Sequence, residues 1–455
     1  MSRRAAIVIG LVALAHAALY IVYQQGEWRS GRSWTDQSGY QRLGAALATT
    51  GQFTRYPGST ELVPEVIRTP GYPAFVAVFY KLFGVGNDLA VAIAQAFVFV
   101  AICWMVYLIG RRAADERSGI TAAAMTALYA PLPYFGSLIV TELWTTGVAT
   151  AAILVAIRAA QHVRRRDYAW AGVLFSATTL VRPAFLLMPF FFAIAAPILV
   201  RQQRSRAALI GWATLCLTAA LTLAPWFAYN YVNLGQITIS PAGGIGRGLW
   251  EGTWQGRWPG RIQAELTTLA ETTADRAELD RRVEETAAAN GVPAGPMLQY
   301  VNEWRDIRAI WDTPTDPMER ASARVEADRV YLSHAIANMR QDPVGHVTRR
   351  LTRGLFVLWA ADVPVRYGDI NTLPTAVIRA IWLVQVVVLI LAVAGAIVLV
   401  WRGRWLEAVM LTLPIVYVTG VHLPLLCESR QSLPVKPVVL ALAGIALTYR
   451  RSAAS

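Results

Sequence analysis

Charge is scarce in this chain. Asp, Glu, Lys and Arg make up 16% of its 455 residues, against about a quarter in an ordinary soluble domain. Lysine is almost missing, with Lys81 and Lys436 its two examples. Cysteine is limited to Cys103, Cys216 and Cys427. Three scattered cysteines make neither a disulfide framework nor a metal cluster, and each reads as a small apolar filler. There is no P-loop, no HExxH and no GxSxG, which removes the common nucleotide, zinc-protease and serine-hydrolase signatures. No stripe of charges runs through the middle of the apolar segments, as proton-coupled transport would require. Internal repeats and low-complexity tracts are absent as well.

What the chain has in quantity is apolar sequence, 55% of its residues. A span needs about 20 mainly apolar residues to cross the hydrocarbon core. Runs that reach or approach this length lie near 5–24, 88–110, 118–136, 138–158, 169–181, 183–200, 207–228, 374–401, 405–421 and 432–449. The fifth is short, and a Pro-containing break separates the third from the fourth. The expected fold class is an all-α polytopic membrane protein of about ten transmembrane helices with two long segments at one face. Met1-Ser2-Arg3-Arg4 leads straight into a full-length span, so a retained membrane helix is expected there, not a cleaved signal.

The net charge of +13 reports topology. With a cytoplasmic N-terminus and alternating sides, sixteen arginines fall on the inner side: 3, 4, 111, 112, 117, 158, 164, 165, 166, 201, 204, 206, 402, 404, 450 and 451. Against them stand Asp115, Glu116, Asp167 and Glu407. Twelve of the thirteen net charges therefore sit on one side, as the positive-inside rule demands. The expected location is a multi-pass inner (plasma) membrane with both termini cytoplasmic. Nothing in this distribution calls for a nucleic-acid partner, since no compact basic domain with stacking aromatics is present.

Three parts follow from the topology. Residues 1–228 form an N-terminal transmembrane module with a first outer loop at 25–87. Residues 229–373 form an outer helical domain, and 374–455 the C-terminal transmembrane helices. The outer domain holds 18 of the 29 acids and 16 of the 42 bases, a nearly neutral balance that suits a folded, solvent-facing element. Residues 261–290 read as one helix that stops at Asn290-Gly291, and a second helix is expected over 317–340. Asp342-Pro343 then offers an N-cap and a first-turn proline. Val347, Leu351, Leu355 and Leu358 follow at helical spacing, with Arg349, Arg350 and Arg353 on other faces. This helix lies either on the outer membrane surface or against the outer domain.

Ionisable residues gather toward the outer ends of the spans. Asp36, in Trp34-Thr35-Asp36-Gln37-Ser38-Gly39-Tyr40, opens a short helix patterned by Tyr40, Leu43 and Leu47; it is either an N-cap or a catalytic acid. Glu65 and Arg68 flank a rigid bend, Arg68-Thr69-Pro70-Gly71-Tyr72-Pro73, where Arg68 either snorkels or meets a ligand. Glu142 and Arg182 stand near the outer ends of the fourth and fifth spans. Ionisable groups at that depth mark a polar cavity or a structural ion pair. His422, Glu428, Arg430 and Lys436 cluster where the last span begins. Arg430 and Lys436 suit an anionic lipid headgroup or an anchoring role at the interface.

These pieces occur in one order. Asp36 is followed by Gly39-Tyr40-Gln41-Arg42-Leu43 and Gly51-Gln52-Phe53, then by the Arg68 bend, Thr141-Glu142 and Arg182-Pro183. Pro225-Trp226 leads through Asn230-Tyr231 to Leu234-Gly235, and Ser240 leads to Gly248-Leu249-Trp250 with Gly252. Glu428-Ser429-Arg430 and Leu433-Pro434-Val435 close the set. In this order the chain resembles the GT-C superfamily of membrane glycosyltransferases, in the bacterial branch related to protein O-mannosyltransferases and lipid A aminoarabinose transferases. The likeness spans the membrane part and is thin over 260–340. It departs from the family at Tyr229, where an arginine is frequent, at Gln431, where an aromatic is frequent, and at Gln37, where a second acid would complete a metal-binding pair.

The resemblance implies a polyprenyl-phosphate-linked sugar as donor. It implies transfer with inversion to the hydroxyl of a glycan, glycolipid or protein on the extracytoplasmic face. Asp36 is then the expected catalytic base. Arg68, Arg182, Arg430 and Lys436 are expected to hold the donor phosphate. Glu142, Tyr40, Glu65 and His422 are candidates for substrate or acceptor contact. No cofactor is firmly implied, and a divalent cation stays open. Two other classes share the span count: a lipid or glycan flippase, which would place polar sites at the midplane, and a non-catalytic membrane subunit of a glycan-assembly complex.

Overall fold

The structure, a computed structural model, describes residues 1–25 and 35–449. Trp34, and Arg450 and Arg451 of the inner-side arginines, lie outside the described residues. Among the described residues the chain is helices and turns, with no strand. The first group of helices is α1 (Arg3–Gln24), α2 (Thr35–Thr50), α3 (Gly71–Phe83), α4 (Asp88–Ala113), α5 (Glu116–Leu128), α6 (Pro131–Gly136), α7 (Glu142–His162), α8 (Arg165–Val181), α9 (Met188–Leu199) and α10 (Arg206–Leu234). The second is α11 (Ile245–Trp254), α12 (Gly260–Thr272), α13 (Arg276–Ala289), α14 (Ala294–Asp312) and α15 (Pro317–Gln341). Then come α16 (Pro343–Arg349), α17 (Leu355–Ala360), α18 (Tyr367–Ile370), α19 (Thr375–Trp401), α20 (Trp405–His422) and α21 (Lys436–Thr448).

Six of these, α1, α4, α7, α10, α19 and α20, are long and apolar enough to cross a membrane, joined by shorter apolar stretches at 71–83, 183–199 and 433–448. Each of the ten apolar runs of the sequence carries helix. The third and fourth are shorter than their hydropathy suggests. α5 ends at Leu128 and α7 begins only at Glu142. Pro131 and Pro133 supply no N–H to continue the helix, and the residues between take their hydrogen bonds from elsewhere. Gln95 Nε2 donates to the Gly136 and Leu138 carbonyls at 2.9 and 2.8 Å. The Ile139 N–H donates to Gln37 Oε1 at 3.2 Å.

The packing is that of a lipid-embedded bundle. α1 buries Ala13 and Ala17 and exposes Leu11 and Leu19, and α19 exposes Leu383, Ile390 and Val393. Small residues inside and large apolar ones outside suit helices that approach closely while facing hydrocarbon. Gly395 on α19 meets the Leu442 carbonyl of α21 so closely that a Cβ would collide with that backbone.

Between α10 and α19 the chain builds a separate apolar cluster around Trp250, Trp254, Leu266, Val283, Tyr300 and Ile307. Buried Glu303 accepts from Trp250 Nε1 at 2.5 Å and from Asn338 Nδ2 at 3.1 Å. The single helix expected over 261–290 is two helices, because Asp275 caps α13 by accepting from the Glu278 N–H at 2.8 Å. Its end at Asn290-Gly291 stands as expected, with Gly291 at φ 63°. α15 covers the second expected helix and begins at the Asp316 cap. The helix begun at Pro343 passes through a π turn over Arg350–Gly354 into α17. Val347 and Leu351 are exposed, while Arg350 turns inward and donates to the Gln255 and Leu425 carbonyls at 2.7 and 3.0 Å. The Leu426 N–H meets the Gly248 carbonyl at 2.7 Å. These bonds lock the 245–341 helices onto the loop that leads to Arg430.

Candidate active site

Asp36 lies in the first turn of α2, where the helix dipole favours a carboxylate. Two guanidiniums reach it. Arg68 Nη2 donates to Oδ1 at 3.2 Å and to the Asp36 carbonyl at 3.3 Å, and Arg430 Nη1 donates to Oδ2 at 2.9 Å. Burial alone would raise the Asp36 pKa, but Arg430, then Arg68 and Arg182, outweigh it and hold the carboxyl below its usual 3.8. The Asp36 side chain keeps 40% of its surface open, so the carboxylate remains accessible.

Local geometry explains how Arg68 arrives there. Gly39 has no side chain, and a Cβ at that position would occupy the space of the Arg68 guanidinium. That group lies 4.6 Å over the Tyr40 ring, which meets Tyr72 edge-on at 5.2 Å. Glu65 is turned into the fold. Its Oε1 accepts from the Ile67 and Arg68 N–H groups at 2.8 and 3.1 Å and from Arg55 Nη2 at 2.9 Å. The chain returning from α10 braces the same bend: Ser240 Oγ donates to the Ile67 carbonyl at 2.6 Å, and the Ala242 N–H to the Val66 carbonyl at 2.8 Å. That return is itself held by Trp226 Nε1 on the Ile239 carbonyl at 2.8 Å and Asn230 Nδ2 on the Thr238 carbonyl at 2.6 Å.

Glu142, buried at the start of α7, lies between Arg182 Nη2 at 2.8 Å and Arg430 Nη1 at 3.4 Å. Arg182 Nη1 also donates to the Arg430 carbonyl at 3.3 Å. Glu428 completes the group, accepting from Arg430 Nε at 3.0 Å. Three arginines and three carboxylates thus form one ion-pair network, drawn from α2, the 65–68 bend, α7, α8 and the 428–431 turn. All lie at the same end of the bundle. The pairing anticipated between Glu142 and Arg182 is present, and Arg430 joins it to Asp36.

His422 is buried at the end of α20, within electrostatic reach of Arg182. Lys436 is buried apart from the arginine cluster. Its Nζ donates to the Trp359 carbonyl at 2.6 Å and lies 5.3 Å from the Trp359 ring. Nearby Asp362 is buried too, and burial raises its carboxyl to about 6 in spite of Lys436. Sequence reasoning missed two further residues. Gln37, read there only as a missing second acid, is fully buried and ties α2 to the break before Glu142. Arg247 on α11 pairs with Glu251 at 2.9 Å and stands within electrostatic reach of Asp36. Its glycine-rich surroundings, Gly243-Gly244 and Gly246 to Gly248, were the available signal. Asp328 of α15 accepts from the Gly246 and Arg247 N–H groups at 3.3 and 3.1 Å and fixes that helix end.

Residues 67–229 match the protein family described as dolichyl-phosphate-mannose-protein mannosyltransferase. This stretch contains Arg68, Glu142 and Arg182. Among curated proteins no sequence matches. Among solved structures, the chain is similar to the archaeal oligosaccharyltransferase AglB from Archaeoglobus fulgidus in complex with an inhibitory peptide and a dolichol-phosphate. That match has 15% identity and a TM-score of 0.50, and covers 96% of this chain and 50% of that one. The chain has a GT-C fold. It spans about half the length of that oligosaccharyltransferase. ArnT from Cupriavidus metallidurans bound to undecaprenyl phosphate is also similar, at 15% identity and a TM-score of 0.42, over 97% of this chain and 77% of that one.

Within this GT-C fold the charged network suits an anion better than a cation. Among the described residues no three His, Cys, Asp or Glu side chains stand close enough to share a metal ion. The Asp36 and Glu142 oxygens are already engaged by arginines. Among the described residues a divalent ion finds no set of three such donors here. A phosphate finds three guanidiniums whose carboxylate partners it can replace.

Proposed function

We propose that this chain is an inverting glycosyltransferase that moves a sugar from a polyprenyl-phosphate donor to an acceptor hydroxyl on the extracytoplasmic face. One observation carries the reading: an accessible carboxylate, Asp36, held between two arginines of a three-arginine cluster at one end of a lipid-facing bundle. The matched family takes its name from a dolichyl-phosphate-linked mannose, and the structurally similar archaeal enzyme was captured with a dolichol-phosphate. Both support a lipid phosphate. The outward placement is supported by the arginine excess at the opposite end.

The residues divide the work as follows. The donor phosphate displaces Asp36 from Arg68 and Arg430, which together with Arg182 then neutralise it. Asp36, released from its arginines, becomes more basic and accepts the proton of the acceptor hydroxyl. The acceptor oxygen bonds the anomeric carbon from the side opposite the phosphate, and the carbon–oxygen bond to phosphate breaks. Its electron pair leaves with the polyprenyl phosphate, whose growing charge the arginines stabilise. Glu142 keeps Arg182 and Arg430 aligned. Tyr40 supports Arg68 from below, and Arg247 faces the same space from α11.

The test uses purified protein and labelled polyprenyl-phosphate sugars, with released lipid phosphate as the readout. Asp36→Asn is expected to fold as the parent does and to lose roughly a hundredfold or more in turnover, the contribution of a positioned base. Near-parental turnover would remove Asp36 from that role. Failure of the parent protein to release lipid phosphate from any such donor would overturn the enzyme reading itself.

A further inference from the structure

The end of the bundle away from Asp36 carries a second site. A polar cavity of about 650 Å³ opens among Arg112, His162, Arg201, Arg404 and Glu407. Three arginines face one glutamate there. Arg404 spends one Nη2 hydrogen bond on the Arg112 carbonyl at 2.7 Å and another on Glu407 at 2.8 Å. Among the described residues, the Arg112 and Arg201 guanidiniums have no carboxylate partner. Arg111 and Arg158 stand within electrostatic reach of Arg112, as does Asp167, whose charge is taken up by its pairing with Arg158. An excess of cation without a partner calls for an anion.

An apolar cavity adjoins this one across Trp405. A groove of about 710 Å³ runs between α9, α19 and α20, lined by Phe191, Ile198, Ile397, Val400, Val409 and Val416 among others. Trp405 belongs to the lining of both, and the Leu199 carbonyl that accepts from its Nε1 at 2.7 Å adjoins Val200 and Arg201 of the polar part. A half-exposed tryptophan marks the level where headgroup and hydrocarbon meet. From Trp405 to Val416 the groove rises roughly 16 Å at 1.5 Å per helical residue. That is about half of a hydrocarbon core ~30 Å thick, the depth of one leaflet.

We infer that these adjoining cavities bind one anionic phospholipid of that leaflet, its phosphate among Arg112, Arg201 and Arg404 and its acyl chain in the α9–α19–α20 groove. Charge selects the headgroup, as in other basic pockets between membrane helices. Depth selects an ordinary acyl chain, because a polyprenyl tail would overrun one leaflet. The site is independent of the glycosyl-transfer reading and draws on none of the residues assigned to it.

The experiment measures lipid retention. The purified full-length chain is delipidated in mild detergent, incubated with labelled phosphatidylglycerol or phosphatidylcholine, and weighed intact by native mass spectrometry. Phosphatidylglycerol should be retained in preference to phosphatidylcholine. The double variant Arg112→Gln with Arg201→Gln should lower that retention by roughly thirtyfold, since each of the two arginines near a lipid surface is worth about 1 kcal/mol. Ala195→Phe, which fills the groove, should lower it without touching an arginine. Thermal midpoints and elution profiles equal to the parent's would show that both variants fold. Equal retention of the two lipids, or undiminished retention by the double variant, would overturn the headgroup site. Full retention by Ala195→Phe, or complete displacement of the lipid by inorganic phosphate, would overturn the acyl groove and leave a soluble-anion site. A wild-type dimer that carries no lipid would place a second copy in the groove and overturn the proposal.

Discussion

Asp36 is held as a carboxylate by the cations that a phosphate would claim, and this has kinetic consequences. In the free protein its pKa lies below 3.8, so it stays ionised as pH falls from neutral. The donor-level kcat/KM should therefore hold level down to about pH 5 as far as this group decides it. With donor bound, Arg68 and Arg430 are shared with phosphate and the Asp36 pKa rises. The acid limb of kcat should then lie at higher pH than that of kcat/KM. Coincident limbs would contradict the exchange of partners. Gly39 offers a second handle. The atoms nearest a Cβ there belong to the movable end of Arg68, so Gly39→Ala should change stability little. It should nevertheless push Arg68 off Asp36 and raise the donor KM about tenfold, the scale of one charge-assisted hydrogen bond. A KM equal to the parent's would mean that Arg68 holds no phosphate. At this scale the sequence was informative where charge met a span end: Asp36, Arg68, Glu142, Arg182 and Arg430 converge. It was uninformative where orientation decides. Glu65 and Lys436 look like ligands from their types and positions, but backbone N–H groups, Arg55 and the Trp359 carbonyl engage them.

The elements that bring these side chains together touch at points where no side chain fits. Gly71, at the start of α3, lies against α8: a Cβ there would fall 2.7 Å from the Leu180 carbonyl oxygen. Backbone cannot swing aside as an arginine tip can. Gly71→Ala should therefore force α3 from α8, separate Arg68 from Arg182 and cost about 1–3 kcal/mol. A lowered thermal midpoint together with weakened donor binding is expected, in contrast to Gly39→Ala, which should affect binding alone. Equal midpoints for the Gly71 variant and its parent would show that the contact is slack. Helix positions were largely legible because hydropathy and capping signals are local. Their breaks were less so. The stretch over 118–158 shows its Pro-containing break in the sequence, but the apolar runs on either side, 118–136 and 138–158, read as longer than the helices that form. Its interruption is stabilised by Gln95 and Gln37, partners distant in sequence that no pattern within the stretch announces. The break before α13 was foreshadowed only by Asp275, whose capping role competes with the surrounding helix-forming residues.

At the scale of the whole molecule, the two ends of the bundle carry different electrostatics. One end gathers arginines in excess of acids. The other gathers a balanced network of three arginines and three carboxylates, covered by helices with a near-neutral composition. The excess is what membrane insertion reads, and the balance is what a site that exchanges carboxylates for a phosphate needs. The proposed function requires that the balanced end face away from the cytoplasm, and this can be tested without any substrate. Arg281 on α13 and Arg166 at the start of α8 are exposed and stand at opposite ends. The native cysteines give little background, because Cys103 and Cys427 are buried and Cys216 is half-buried. In intact cells a membrane-impermeant maleimide should label Arg281→Cys at once, and should label Arg166→Cys only after the membrane is opened. The reverse pattern would place Asp36 on the cytoplasmic side. An extracytoplasmic acceptor would then be excluded, although the chemistry assigned to the arginine cluster would stand.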